Sequence, residues 1–477
     1  STMDRPEDPP MEINRAWCPF TALPALPTFL ACLLPSIGGP LLAQSTTFDF
    51  AAPELIELPA GFAPTCLDLG DLDQDGVTDL VVCGRGQEGG VLVLPGLGNG
   101  SLGPPTDLGL EQPIDWLELG DLDEDGILDL VLAARSRSGR LELLRGLAGG
   151  GFAETSLALR FGRELRSARL ADLDGDTHLD LVVVGHASDE VRILVGDGTG
   201  GFQTARRLRC GSWKNGYAYP QSVQLPDLDG DGRLDLTSVG IGTRSLEIAI
   251  NDGSATFPEA RSWVGPVLDN GTIPGCSYGA WADFNGDGRL ECLLTLTSFG
   301  SQQFAVIEVD EAGDVAGTTL HAGSLTGISW FPEVGDFDGD GDPDVVIGHA
   351  LPGLISFFEN VTTPGGPPAF LAPQSFPASE FTRFLRTVGL DLDGDLDLLA
   401  ADFTGDRLVI LRNNRLGGAS PRSPDQPTPA LRDPASVVPP ELRTDGVALA
   451  KWLSDLDGDP TRIVLDPGDD PVTGAPR

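Results

Sequence analysis

The sequence predicts an all-β fold, a seven-bladed β-propeller of four-stranded antiparallel blades, and three observations carry that prediction. An aspartate-rich loop recurs about every 50 to 56 residues, at Asp71, Asp121, Asp172, Asp227, Asp283, Asp336 and, shortened, at Asp391. Each copy is flanked by short apolar runs rich in Val, Leu and Ile and bounded by Gly, Asp and Asn, the pattern of strands between turns. No segment sustains a helical period, and self-similarity on this length scale marks a solenoid, propeller or array.

Each unit reads as four strands. In the third unit, one strand precedes the loop (168–171), one follows it (179–184), a third covers 191–195, and a turn at 196–202 leads to a fourth. Four-stranded units arranged radially leave only short, protected edges. Residues 48–57 resemble a fourth strand with no unit before it, and the seventh unit stops after its third strand, 408–411. The N-terminal strand is therefore expected to complete the last blade and close the ring, with an open array as the alternative.

Composition sets the class. Of 477 residues 40% are hydrophobic, enough for a sizeable core, and 62 Gly with 39 Pro favour short elements joined by turns. With 71 acidic against 31 basic residues the net charge is −40, which repels phosphate backbones and argues against nucleic acid as a partner. Residues 1–43 read as a signal peptide and N-terminal extension, with Arg15 ahead of an apolar stretch at 20–34 and Leu41-Leu42-Ala43 as a cleavage site before Gln44. No later stretch reaches the roughly 20 apolar residues of a membrane span. Residues 44–415 form the propeller, 416–440 a proline-rich linker, and 441–477 a tail or the start of an incomplete further domain. Five cysteines follow the leader; Cys66 with Cys83, and Cys276 with Cys292, are compatible with cross-strand disulfides or with buried free thiols.

The loops carry the chemistry. The first reads Asp71, Asp73, Asp75, Gly76, Val77 and Asp79 at positions one, three, five, six, seven and nine. Calcium takes six to eight oxygens. Acids at one, three and five point inward, glycine at six allows the turn, the seventh residue offers its carbonyl, and the ninth acid closes the shell. The same positions are Asp121, Asp123, Asp125, Ile127 and Asp129 in the second copy, and Asp172, Asp174, Asp176, His178 and Asp180 in the third. They are Asp227, Asp229, Asp231, Arg233 and Asp235 in the fourth, and Asp283, Asn285, Asp287, Arg289 and Glu291 in the fifth. The sixth has Asp336, Asp338, Asp340, Asp342 and Asp344. Thr177 replaces the turn glycine of the third copy, which predicts strain there. The copy at Asp391 lacks two residues, and a seventh ion there is left open. Four carboxylates in one loop repel one another without a cation. An isolated Asp-Xaa-Asp-Gly run is more often an ordinary turn, but six copies in register favour about six calcium sites.

These loops, together with Gly/Phe turns such as Gly151-Phe152 and Gly201-Phe202, resemble the FG-GAP and VCBS-type repeats and the N-terminal propeller of integrin α chains over about residues 48–414. The resemblance implies a seven-bladed propeller with mainly structural calcium in the hairpin between each blade's first two strands. The Gly-Ala-Pro half of the motif is absent, so an integrin-like ligand mode is not implied.

If the calcium loops occupy one face, the loops entering each first strand occupy the other. Two of these are long and aromatic: Trp213, Tyr217 and Tyr219 precede the fourth copy, and Tyr278 precedes the fifth. They are candidate ligand-binding residues, or packing beneath long loops. The expected function is a secreted or cell-surface binding and adhesion module for an extracellular protein or glycan, not an enzyme. The alternatives are a calcium-dependent, lyase-like polysaccharide-active enzyme and a structural display module. Two lysines and four scattered histidines supply little catalytic apparatus, and no nucleophile elbow, metalloprotease motif or phosphate loop is present.

Overall fold

The computed structural model describes residues 48–414 apart from 111, 135–138, 154–156, 162, 211–218, 258–259, 266–274, 299–300, 323–328, 350–352, 378–380 and 392. The expected leader, linker and tail lie outside the described residues, as do Trp213 and Tyr217.

Seven antiparallel sheets of four strands each make up the fold. Blade 1 comprises Pro64–Gly70, Asp79–Gly84, Val91–Leu94 and Thr106–Asp107. Blade 2 comprises Ile114–Gly120, Asp129–Ala134, Arg140–Leu144 and Leu157–Arg160. Blade 3 has Leu165–Ala171, Asp180–Gly185, Glu190–Gly196 and Phe202–Arg209. Blade 4 has Pro220–Gln224, Leu236–Gly240, Ser245–Ala249 and Ala260–Val264. Blade 5 has Gly275–Ala282, Glu291–Ser298, Ser301–Val309 and Val315–Ala322. Blade 6 has Ser329–Gly335, Asp344–His349, Leu354–Phe358 and Gln374–Pro377.

Blade 7 has Thr382–Val388, Asp397–Asp402 and Arg407–Leu411, and its fourth strand is Glu54–Glu57 from the other end of the chain. Glu54 faces Ile410 and Glu57 faces Arg407 in that pairing. First strands of successive blades touch one another, and the first strand of blade 1 touches that of blade 7, so the ring is closed. The expected closure is therefore the observed one. Phe48 and Phe50 reinforce it, with ring centres 5.4 and 4.4 Å from that of Phe357 in blade 6.

The second strands explain the sequence pattern. Asp79–Gly84, Asp129–Ala134, Asp180–Gly185, Asp344–His349 and Asp397–Asp402 are buried at every position, because each lies between two neighbouring sheets. That is why they read as unbroken apolar runs rather than alternating ones. Outer strands such as Phe202–Arg209 are largely exposed. Blades pack closely where the first strand ends: a Cβ on Gly70 would lie 2.5 Å from Leu128 of the next blade, and one on Gly120 would lie 2.7 Å from Leu170. Along the inner strands charges are paired across blades, Arg386 Nη2 lying 2.8 Å from Asp68 Oδ1. Among the described residues the helical content is a short 3-10 turn at His186–Ser188, and no helix is long and apolar enough to cross a membrane.

All five described cysteines are buried free thiols. Cys66 and Cys83 stand opposite each other, whereas Cys276 faces Leu296 and Cys292 faces Trp281, so the second pair is not a cross-strand pair.

Candidate metal centres

Each aspartate-rich loop is the hairpin between a blade's first and second strands, and in blade 1 the ninth-position Asp79 pairs with Gly70, the last residue of the first strand. The loop is wound around its own carboxylates. Asp71 Oδ1 accepts the N–H of Asp75 at 3.1 Å and Oδ2 that of Gly76 at 3.0 Å. Asp73 Oδ1 also accepts from Asp75, at 3.2 Å, and Asp75 Oδ1 accepts from Val77 at 2.8 Å. The reversal at position six needs a left-handed backbone, with φ of 86° at Gly76, 84° at Gly232 and 96° at Gly341. Thr177 takes the same conformation, φ 77°, which places a β-branched residue where it is strained, as the sequence predicts.

The ninth acid has a second task that the motif does not announce. Asp79 Oδ2 accepts the N–H of Leu72 at 3.0 Å, and Oδ1 that of Gly96, just beyond the third strand, at 2.7 Å. Asp129 does the same with Leu122 and Gly146, and Asp180 with Leu173 and Gly196. Asp235, Asp344 and Asp397 repeat it, with an asparagine as the distant partner: Asn251, Asn360 and Asn413. Glu291 holds the N–H of Phe284 and the side-chain amide of Asn285. The ninth acid is thus buried and locks the loop to the blade that carries it.

The carboxylate oxygens converge. Those of Asp71, Asp73 and Asp79 lie within 4.8 Å of one another, as do the corresponding sets Asp121, Asp123 and Asp129; Asp172, Asp174 and Asp180; and Asp227, Asp229 and Asp235. In the fifth loop the set is Asp283, Asp287 and Glu291. The fifth-position acids Asp75, Asp125, Asp176, Asp231, Asp287 and Asp340 are exposed, at the open side of each loop. At position seven of the third, fourth and fifth loops the side chain is engaged elsewhere, which leaves the backbone carbonyl to an ion, whereas the sixth loop has a carboxylate there, Asp342. The side chain of His178 contacts Glu124, that of Arg233 contacts Asp231, and Arg289 pairs with Glu311 at 2.8 Å. Asp338 and Asp344 of the sixth loop are buried, while Asp336 and Asp342 are half-buried.

Burial pushes the ninth acids above the ordinary carboxylate range, and the neighbouring loop carboxylates push the same way. The value reaches about 6 for Asp180 and Asp235, about 7 for Glu291 and about 8 for Asp344. The N–H groups of the clamp act in the opposite direction. Such a donor set, all oxygen and all hard, fits a divalent cation that prefers carboxylate and carbonyl ligands.

Two loops are built differently. At the shortened seventh loop the guanidinium of Arg412 lies 3.9 Å from Asp391 Oδ2 and 3.8 Å from Asp397 Oδ2, placing a fixed positive charge there. In the second loop Arg145 pairs with Asp123 and donates to the carbonyl of Thr199 in blade 3 at 2.9 Å. The sequence reading missed both arginines. It also missed Asn251, Asn360 and Asn413, although each stands sixteen residues after the closing acid of its own loop, Asp235, Asp344 or Asp397, a recurrent offset legible in the sequence.

Of the aromatic candidates, Tyr219 is 37% exposed, has a left-handed backbone and lies 5.0 Å, ring to ring, from His186. Tyr278 departs from the expectation of an exposed ligand contact. It lies within the first strand of blade 5, buried, with its ring 4.8 Å from Phe331 and 6.0 Å from Trp330. The strand begins earlier than the loop reading allowed, and burying an aromatic ring outweighs displaying it.

A family described as FG-GAP-like repeat matches at residues 71–132, 121–183, 172–238, 227–294 and 283–347, an unbroken stretch longer than half the chain. No curated protein matches in sequence. Among solved structures, an Agrocybe aegerita lectin, described as specifically recognising non-reducing terminal N-acetylglucosamine, is 19% identical with a TM-score of 0.49, covering 75% of this chain and 87% of the lectin. BBS1N in complex with ARL6DN is 14% identical with a TM-score of 0.49, covering 76% and 96% of the two chains. A protein from Lactobacillus plantarum is 12% identical with a TM-score of 0.49, covering 67% and 86%.

Proposed function

Because the chain belongs to the FG-GAP-like repeat family, we propose that it is a secreted calcium-binding propeller serving as an extracellular binding and adhesion module, its calcium mainly structural. The observation that carries this reading is the recurrence of one oxygen-only cage in register around the ring, each closed by a buried ninth acid. Calcium is the divalent ion that best suits a flexible cage of carboxylate and carbonyl oxygens, and millimolar calcium outside cells suits exposed loops of this kind. In the first loop Asp71, Asp73, Asp75, Asp79 and the Val77 carbonyl would hold the ion. The bound ion supplies charge neutralisation, and the loop residues hold the hairpin in place around it.

The histidines favour a non-catalytic reading. His321 stacks on Phe304 at 4.9 Å, His349 contacts Ser356 at 2.9 Å, and His186 contacts the Pro220 carbonyl at 3.1 Å, all in supporting roles. The test is a glycan and protein array probed with the full chain in calcium and in chelator, with polysaccharide cleavage assayed in parallel. Calcium-dependent capture without cleavage is expected. Turnover of any polysaccharide, or capture indifferent to calcium, contradicts the reading.

A further inference from the structure

The seam of the ring and the shortened loop of the repeat meet at one side chain, Arg412. This residue follows directly on Arg407–Leu411, the third strand of blade 7. Its backbone carbonyl accepts the N–H of Ala51 at 2.8 Å, and its neighbour Asn413 bridges to Phe50, so Arg412 stands inside the joint between the two ends of the propeller. The side chain reaches four groups. Nη1 lies 3.9 Å from Asp391 Oδ2 and 3.8 Å from Asp397 Oδ2, the first and last acids of the seventh loop. Nη2 lies 3.3 Å from Glu54 Oε2 on the closing strand and donates to the carbonyl of Gly100 in blade 1. Blade 1 approaches closely there: a Cβ on Gly100 would lie 2.7 Å from the Asp391 Cβ and 3.1 Å from Arg412 Nη1.

The seventh loop is also wound differently from the others. In each of the six full loops Oδ2 of the first acid accepts the N–H of the sixth residue, Gly76, Gly126, Thr177, Gly232, Gly288 or Gly341, at 2.8 to 3.1 Å. The seventh loop lacks two residues of that turn. There Asp391 Oδ1 accepts the N–H of Asp393 at 3.4 Å, and Oδ2 faces Arg412 instead. Its four acids, Asp391, Asp393, Asp395 and Asp397, still repel one another. Burial pushes Asp391 and Asp397 above the ordinary carboxylate range, the neighbouring loop acids push the same way, and Arg412 pulls both back.

Blade 2 shows that an arginine at this place is a built feature. Arg145, like Arg412, immediately precedes the residue whose N–H clamps the closing acid, Gly146 in one blade and Asn413 in the other. Arg145 pairs with Asp123 of its own loop and donates to the Thr199 carbonyl in a turn of the next blade, as Arg412 does to Gly100. Blades 1, 3 and 4 have the uncharged Pro95, Val195 and Ile250 at that position. The second loop is of full length, and Arg145 meets only its third acid. In the shortened loop the guanidinium reaches the first and last acids together.

We propose that the seventh loop takes the guanidinium of Arg412 as its cation in place of a metal ion, so that the blade closing the ring keeps its hairpin and its seam when calcium is withdrawn. A charge on the chain is always present, whereas a bound ion is lost as its concentration falls. The closing strand Glu54–Glu57 pairs with one neighbour only within its sheet. Its release would unpair Arg407–Leu411 and expose a strand edge. The seam is therefore the place where dependence on a dissociable ion would cost the ring most. The inference rests on the calcium reading of the other loops and sets the seventh apart from them.

The test is hydrogen exchange of the full chain in millimolar calcium and in excess chelator, below the melting temperature of the chelated chain. In chelator the amides of Leu236–Gly240 in blade 4 are expected to exchange at least about tenfold faster, whereas those of Glu54–Glu57 and Arg407–Leu411 stay within about twofold of their rates in calcium. Arg412→Gln removes the charge and is expected to speed exchange of Glu54–Glu57 about tenfold in calcium and in chelator alike. Arg412→Lys keeps the charge and is expected to stay nearer the parent. Asp391→Asn is expected to speed that exchange in the parent and to slow it when added to Arg412→Gln, an opposition in sign that a merely structural contact does not produce. Equal loss of protection at Glu54–Glu57 and Leu236–Gly240 in chelator, or an effect of Asp391→Asn of one sign in both backgrounds, overturns the proposal. If Arg412→Gln does not fold, the contrast between the two segments in the parent decides. Exchange indifferent to chelator in every blade overturns the calcium reading, and the paired substitutions then still decide the role of Arg412.

Discussion

The side-chain amide of Asn251 donates to the carbonyl oxygen of Leu173 at 2.8 Å, tying the fourth blade to the metal loop of the third. The backbone N–H of the same residue holds Asp235, the ninth acid of its own loop, at 2.7 Å. Asn360 links to Phe284 at 3.0 Å and Asn413 to Phe337 at 2.8 Å in the same way. The third, fifth and sixth loops are therefore each tied to the blade that follows, and what a cation does for one of them is felt in the next blade.

Asn251→Ala removes the donor to two carbonyls, the buried one of Leu173 and the half-buried one of Leu234. The expected loss is about 1–3 kcal/mol, read as a fall in melting temperature with calcium saturating. An unchanged melt would show that the link carries no stability.

Asp73→Asn and Asp79→Asn separate the two roles of loop acids. Asp73 is exposed, and an asparagine there keeps an oxygen for the Asp75 N–H. Asp79 uses both oxygens on two N–H donors, so an asparagine sets its NH2 against one of them. In chelator the first variant should melt at or above the parent, because it removes one of the mutually repelling charges, and the second well below it. In calcium both should fall below the parent. Equal melting of the two variants in chelator would refute the clamp.

Thr177→Gly relieves a β-branched residue held at φ 77°. Such strain costs on the order of 1–3 kcal/mol, and the greater chain entropy of glycine returns about 1 kcal/mol of it. A small net gain in stability is expected from chemical denaturation, with an unchanged m-value. A loss would mean that Thr177 makes compensating contacts.

Phe48 is 2% exposed and seals the seam where the two ends of the propeller meet. Phe48→Ala is expected to cost about 3–5 kcal/mol and to promote association through the loosened edge of Arg407–Leu411. Light scattering together with a melt checks both effects, and a monodisperse variant with the parent's melt would contradict the seam.

His349 is buried, and burial lowers its pKa to about 4. The unfolded chain protonates it near 6.5 while the folded chain does not. Its contribution is therefore complete above about pH 6.5 and is lost as pH falls from 6.5 towards 4, at most on the order of 3 kcal/mol. The difference in stability between the parent and His349→Gln, measured from pH 7 to pH 4, should narrow in the parent's disfavour. A constant difference would show that His349 does not titrate in this range.

The repeat was legible because it is local: positions one to nine of each loop are contiguous, and alternating strands and turns repeat with them. Closure by residues 54–57 was legible too, since a strand without a blade and a blade without a strand imply each other. What escaped was long-range. Arg412 against Asp391, and Asn251 against Leu173, are contacts between blades that loop spacing alone does not reveal. Tyr278 was misplaced because an aromatic residue near a long loop carries no sign of whether it faces water or the next blade, and here it faces Phe331.

The most direct test of the account is the calcium content of the full chain, measured by elemental analysis after equilibration in millimolar calcium and rapid desalting. The account predicts on the order of six tightly held ions per chain, with the Arg412-blocked seventh loop contributing none. Finding no stoichiometric metal would contradict it.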